Sequence, residues 1–243
     1  MATIAIFSLK GGVGKTTLAT TLAWYAATGP SARRTLLWDL DPQAAASWLL
    51  STQPREKTQA RAVFTRSDEA EKYVEPTAIP NLSLLSADRS LRGLDRFFQD
   101  LAKRKRLSKL TLSLNGRWDR VLLDCPPGLT ATADQAIRAA KLIIVPVVPS
   151  PLARRAFEEV VTHLREEHGG AAPILPVFNM MDRRRSLHIA AAAELPDWPI
   201  IPMASALESL TANRPLSGPF PSGTVAGQAI ARLWRGIEQK LAG

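Results

Sequence analysis

The chain has 243 residues, with 31 Lys and Arg against 22 Asp and Glu, a formal charge of +9, and 46% hydrophobic and 22% charged residues. That balance is ordinary for a globular protein and excludes disorder by composition, while a single cysteine excludes an internal disulfide framework and fits a reducing, cytoplasmic setting. No apolar run approaches the roughly 20 residues of a membrane-spanning helix, and Met1–Lys10 lacks the basic segment and cleavage site of a secretory signal.

The elements alternate along the chain. Thr3–Ser8 reads as a strand and Lys15–Thr28 as a helix, with Leu18, Leu22 and Tyr25 at helical spacing and Gly29-Pro30 as a stop. Thr35–Trp38 is a second strand ending on Asp39, and Asn81–Ser86 a third. Ser90–Leu101 carries Leu91, Leu94, Phe98 and Leu101 on one helical face; the stripe then breaks at Lys103–Arg106. Arg120–Leu123 is a strand ending on Asp124, followed by strands at Leu142–Val148, Ile174–Phe178 and Ile200–Met203. Helices are expected at Thr132–Ala139, Leu152–Glu167, Ser186–Glu194 and Val225–Leu241, and a surface loop at Pro215–Gly223. Strands alternating with helices predict an α/β fold: a mostly parallel central sheet covered on both faces. No repeat or linker divides the chain, so residues 1–243 are expected to form a single domain.

One motif carries the chemistry. Lys10-Gly11-Gly12-Val13-Gly14-Lys15-Thr16-Thr17 follows the first strand and opens the first helix, the context of a phosphate-binding P-loop. Glycines let successive N–H groups converge on phosphate oxygens, and the helix N-terminus adds positive potential. Lys15 is placed to reach the β- and γ-phosphates and the Thr16 hydroxyl to ligate Mg²⁺. The general pattern has a glycine where this chain has Leu9, and a second lysine, Lys10, stands early in the loop.

That variant is the deviant Walker A signature, and with it the chain resembles the ParA/MinD ATPases. The resemblance continues in Leu37-Trp38-Asp39-Leu40-Asp41-Pro42-Gln43, in Val121–Gly128 and in Phe178–Asp182. Asp-Pro-Gln favours the ParA branch, and the start of the chain at the nucleotide-binding strand leads to the expectation of the small type without an N-terminal helix-turn-helix domain, although Ala44-Ala45-Ala46 stands where many ParA proteins have Gly-Asn. The resemblance implies a P-loop NTPase that takes ATP and Mg²⁺ and forms a homodimer with ATP, Lys10 acting across the dimer. It implies that Asp41 orients the attacking water, the alternative being a helix cap. Asp124, and with it Asp39, is expected near Mg²⁺, the carboxylates acting through water. Asn179 is expected at the adenine edge, the alternative being a strand-end cap. Cys125 is expected to pack beneath the switch segment, and one cysteine per chain excludes a four-cysteine iron–sulfur cluster. The histidines, His163, His168 and His188, show no metal-ligand spacing with the cysteine or one another.

The positive charge is uneven. Residues 1–100 hold 12 basic and 10 acidic side chains, and Lys103–Arg120 alone is net +6. Such a cluster attracts phosphate backbones or is simply a solvated face. ParA relatives bind DNA without sequence preference and release it when a ParB-like or other stimulating partner accelerates hydrolysis, which implies association with the nucleoid. Candidate DNA contacts are Arg183, Arg184, Arg185, Arg214, Arg232 and Arg235. MinD relatives instead use a C-terminal amphipathic helix on membrane. Gln228–Leu241 has the pattern for that, or for packing its apolar side on the sheet, which is the expectation adopted. A metabolic P-loop enzyme is the remaining alternative.

Overall fold

The computed structural model describes residues 1–52, 60–65, 70–100, 105–169, 172–204 and 214–242. Its eight strands are β1 (Ala2–Ile6), β2 (Thr35–Asp39), β3 (Val74–Pro76), β4 (Leu82–Leu85), β5 (Arg120–Asp124), β6 (Leu142–Val147), β7 (Ile174–Met181) and β8 (Ile200–Pro202). They form one sheet in the order β3-β4-β2-β5-β1-β6-β7-β8. Only β3 runs antiparallel, at the edge of the sheet. The helices are α1 (Lys15–Thr28), α2 (Ala45–Leu50), α3 (Ala62–Thr65), α4 (Leu94–Phe98), α5 (Arg106–Ser113), α6 (Ala131–Ala139), α7 (Ala153–His168), α8 (Ser186–Glu194) and α9 (Val225–Ala242).

The central strands are apolar on both faces, and their period of two divides the interior into two cores. Ala5, Leu36, Trp38, Val121, Leu123, Ile143 and Val145 face one side, with α4 to α7. Ile4, Ile6, Leu37, Leu122, Leu142 and Ile144 face the other, with α1, α2 and α9. The last helix buries Ile230, Leu233, Trp234 and Ile237 in this second core. Arg120 Nε and Nη2 clamp Glu238 at 2.7 and 2.6 Å and fix α9 to the base of β5. The apolar side of Gln228–Leu241 is therefore used inside the protein.

Three expectations change. Ser90–Leu101 is not one helix: Asp88 caps a 3₁₀ turn over Arg89–Gly93 by accepting from Ser90 N at 2.7 Å, and α4 restarts after Gly93. A glycine inside a helix costs about 1 kcal/mol relative to alanine, which favours a break there. Leu101 lies outside the described residues. Pro215–Gly223 is a loop, but not merely a surface one. Leu216 and Phe220 are buried, Leu216 N donates to Leu49 O, and Phe220 stands edge-on to Trp24 and Tyr25 of α1. The basic stretch also changes character. Arg120 pairs with Glu238, Arg117 meets Glu71 at 2.9 Å, and Arg106 donates to Phe64 O, which leaves Lys105 and Lys109 exposed on α5. Lys103 and Arg104 lie outside the described residues.

Candidate nucleotide site

Parallel strands deliver their C-terminal ends to one edge of the sheet, and ligands bind where neighbouring connections leave in opposite directions. Here β1 lies between β5 and β6, with β2 beyond β5, so the loop after β1 sits at that point. The register places Ile6, Asp124 and Asp39 side by side on β1, β5 and β2.

Residues 7–14 fold back over the end of β1 before α1 begins. Ser8 Oγ accepts from Lys10 N at 3.2 Å, and Gly128 N donates to Ser8 O, so the loop and the segment after Asp124 are tied to the same strand end. Gly12 and Gly14 have φ of 74° and 78°, in the left-handed region that favours glycine. At Gly14 a second reason applies: a Cβ there would come within 2.5 Å of the Asn179 amide nitrogen. Asn179 Nδ2 donates to Val13 O at 2.8 Å, so this buried side chain braces the loop from β7. The left-handed Met180 (φ 59°) and the register shift between Phe178 and Met181 mark a bulge at that position. The amide expected at the adenine edge is thus engaged with the phosphate loop through its N–H.

The two loop lysines differ. Lys15 is buried, its Nζ donates to Lys10 O at 3.4 Å, and burial lowers its pKa against the raising influence of Asp124 and Asp41. Lys10 is exposed, and its ammonium has no protein partner among the described residues.

The two strand-end aspartates also differ. Asp39 is fully buried, and both of its oxygens are taken: Oδ2 accepts from Ser47 N at 2.8 Å and Ser47 Oγ at 2.6 Å, and Oδ1 from Asp41 N at 3.1 Å. Its carboxyl is pushed up to about 6, burial outweighing those hydrogen bonds. The resemblance groups it with Asp124 near Mg²⁺, but its contacts tie it to the turn into α2 rather than leave it open to an ion. Asp124 is equally buried, yet neither oxygen meets a donor with hydrogen-bond geometry among the described residues. Burial and then the Asp39 charge push its pKa well above the carboxylate range, while Thr16 and Lys15 hold it down in part. A buried carboxylate beside a threonine hydroxyl offers the hard oxygen donors that suit Mg²⁺.

Asp41, half-buried, accepts from Gln43 N at 2.8 Å in a local turn. The helix that follows is not capped by its side chain; α2 starts after Ala44, which is left-handed at φ 57°. Cys125 is buried beneath the segment that leads to Gly128, and burial raises its thiol pKa. The functional residue that sequence reading missed is Ser47, which holds Asp39 and also accepts from Ala87 N at 2.8 Å. The one hint was a hydroxyl at the end of Ala44-Ala45-Ala46.

The candidate arginines are brought to more than one place. Arg183, Arg184 and Arg185 are exposed in the β7–α8 turn, where Arg184 is paired with Asp182 at 3.0 Å. Arg214 stacks on the Trp48 ring of α2 at 4.5 Å. Arg232 and Arg235 are on the exposed side of α9. Among the described residues Arg183, Arg185, Arg232 and Arg235 have no ion-pair partner.

Comparison with known proteins agrees with this geometry. Residues 1–169 match the family described as an AAA domain. The chain is 30% identical over 200 residues to the chromosome partitioning protein ParA of Caulobacter vibrioides, covering 79% of this chain and 74% of that one. It is similar at 25% identity and a TM-score of 0.77 to Pyrococcus horikoshii MinD, solved with Mg-ADP, covering 100% of this chain and 97% of the other. Cyanothece McdA, solved with ATP, has the same fold at 21% identity and a TM-score of 0.77, covering 100% and 96%. With so much of its length matched by sequence and nearly all of it by fold, the chain belongs to the ParA/MinD family of P-loop ATPases.

Proposed function

We propose that the protein is a ParA-like partitioning or positioning switch that hydrolyses ATP with Mg²⁺. ATP closes a sandwich dimer, the dimer holds DNA without sequence preference, and a stimulating partner triggers hydrolysis and release. The observation that carries this reading is the contrast between the two lysines of one loop: Lys15 is buried in its own site, whereas Lys10 is exposed with no partner among the described residues. A free ammonium at the mouth of a phosphate site is suited to reach the nucleotide of a second chain and add positive charge at the transferring phosphoryl group.

In this reading Thr16 and Asp124 would hold Mg²⁺, the carboxylate through water, and the ion would supply positive charge against the phosphates. The backbone N–H groups of Gly11–Thr17 and the ammonium of Lys15 bind and orient the phosphates. Asp41, at the mouth of the β2–α2 turn, orients the attacking water, while Asp39 sets that turn through Ser47 and Asp41 N. Asn179 positions the loop, and its amide oxygen is offered to the base. Arg183, Arg185, Arg232 and Arg235 supply exposed charge for a phosphate backbone. A membrane-bound reading finds less support, because the apolar side of the last helix is already buried.

DNA co-sedimentation with ADP, ATP and no nucleotide, over a salt series, tests the proposal. Binding that requires ATP, falls steeply with salt and is lost in Lys10→Ala is expected. DNA binding that ignores nucleotide, or ATP binding that leaves wild-type protein monomeric, would overturn it.

A further inference from the structure

The structure assigns a second cation site, separate from the nucleotide. We propose that Asp134 of α6 and His163 and His168 of α7 bind a divalent transition metal of the Zn²⁺ class. Asp134 Oδ1 lies 3.3 Å from His168 Nε2 and 3.6 Å from His163 Nε2. One ligand atom from each residue lies within 4.8 Å of the other two. A tetrahedral ion with ligand bonds near 2.1 Å holds its ligand atoms about 3.4 Å apart, so the two measured separations need little adjustment.

Hydrogen bonding alone accounts for less of this cluster. One carboxylate oxygen faces two imidazoles, and 3.6 Å is too long for a hydrogen bond. His163 Nε2 is buried and has no hydrogen-bond partner among the described residues. Ligation supplies it with one. The donor chemistry sets the class of ion: two imidazoles with one carboxylate select Zn²⁺, Co²⁺ or Ni²⁺ over Mg²⁺, which favours oxygen donors. Asp134 is the most exposed of the three, with its side chain at 36%, so water has access to complete the coordination. Arg138, whose guanidinium donates to Glu167 O, is the cationic neighbour that the chelate must outweigh.

The pair escapes sequence inspection because His163 and His168 are five residues apart, off the i, i+4 spacing of a helical ligand pair, and the third ligand lies on another helix. Their placement gives the site a consequence. The helix α6 directly follows the segment after Asp124, and Ala153 and Ala156 of α7 line a cavity with Lys10–Val13. An ion at this point clamps together the two helices that flank the nucleotide loop.

The test is titration of metal-free, full-length protein with Co²⁺ in saturating Mg²⁺ and ADP. One Co²⁺ per chain is expected, with the visible bands of a tetrahedral nitrogen–oxygen site, displaced by Zn²⁺ but not by further Mg²⁺. Zn²⁺ should raise the Tm by a few degrees. His163→Gln and Asp134→Asn should each lower Co²⁺ affinity by more than the roughly 10–100-fold that loss of an outer-shell partner costs, with ADP binding unchanged. Absence of a tetrahedral Co²⁺ spectrum in the wild type, or Co²⁺ affinity in both variants equal to that of wild type, overturns the site. The wild-type spectrum decides the matter even where a variant fails to fold.

Discussion

Asp39 and Asp124 stand opposite each other on adjacent strands, at the same level of the sheet and equally buried, yet their surroundings differ. Around Asp39 the chain supplies three hydrogen bonds, two from Ser47 and one from Asp41 N. Around Asp124 it supplies none of normal geometry among the described residues. A buried carboxylate costs several kcal/mol of solvation unless something replaces the water. At Asp39 the replacement is built into the fold. At Asp124 the fold supplies no such replacement, and in the proposed function Mg²⁺ and its water take that place.

The largest effect that would break this contrast is on stability at Asp39. Asp39→Ala leaves Ser47 N, Ser47 Oγ and Asp41 N without their acceptor in a buried place. The expected loss is about 3 kcal/mol, since hydrogen bonds to charged groups contribute roughly 1.5–3 kcal/mol each and removal of the desolvated charge offsets part of that. Urea unfolding of the protein without nucleotide measures it. Ser47→Ala should reproduce about half of the loss. An unchanged midpoint in both variants would remove the structural role assigned to Asp39.

At Asp124 the expectation is opposite in sign for stability and concerns binding instead. Asp124→Asn replaces a buried carboxyl whose desolvation outweighs what Thr16 and Lys15 return, so the nucleotide-free protein should be as stable as wild type or more so. The tightening of ATP binding by Mg²⁺ should fall on the order of a hundredfold, about 2.7 kcal/mol. Calorimetric ATP titration with and without Mg²⁺ checks this. Retained Mg²⁺ dependence would show that the ion is held elsewhere.

How much of this was legible in the sequence divides along the same line. The P-loop, the alternation of strands and helices and the strand-end positions of Asp39 and Asp124 depend on local pattern, and they are where the sequence places them. The partners are non-local. Nothing in the Asp39–Gln43 motif announces that Ser47, eight residues on, will satisfy the first carboxylate, or that Asn179 will reach across to the carbonyl of Val13. The basic run misleads for the same reason. Its net +6 is a property of the chain, but Arg117 and Arg120 meet Glu71 and Glu238 only after folding. The α4 break at Gly93 and the antiparallel β3 are set by a cap and by pairing across the sheet edge, which periodicity does not register.

The smallest effect sharpens the comparison through pH. Burial raises the Asp124 pKa well above the ordinary value of 3.8, so in the nucleotide-free protein the folded chain holds a proton that the unfolded chain has already lost. The stabilising protonated form is fully present below about pH 4, where both states are protonated. Stability is then lost as pH rises from there through the folded pKa, with a slope of at most about 1.4 kcal/mol per pH unit for one group. Asp39, pushed up to about 6, adds a loss of the same sign between about pH 4 and 6 and none above. Asp124→Asn should therefore gain on wild type as pH rises above about 4, because the variant lacks the Asp124 proton that the folded wild type gives up. Urea midpoints of the two proteins at pH 5, 6, 7 and 8, without nucleotide or Mg²⁺, give the difference directly. Parallel curves from pH 5 to 8 would mean that burial does not raise the Asp124 carboxyl, and the contrast between a satisfied carboxylate and a waiting one would fail.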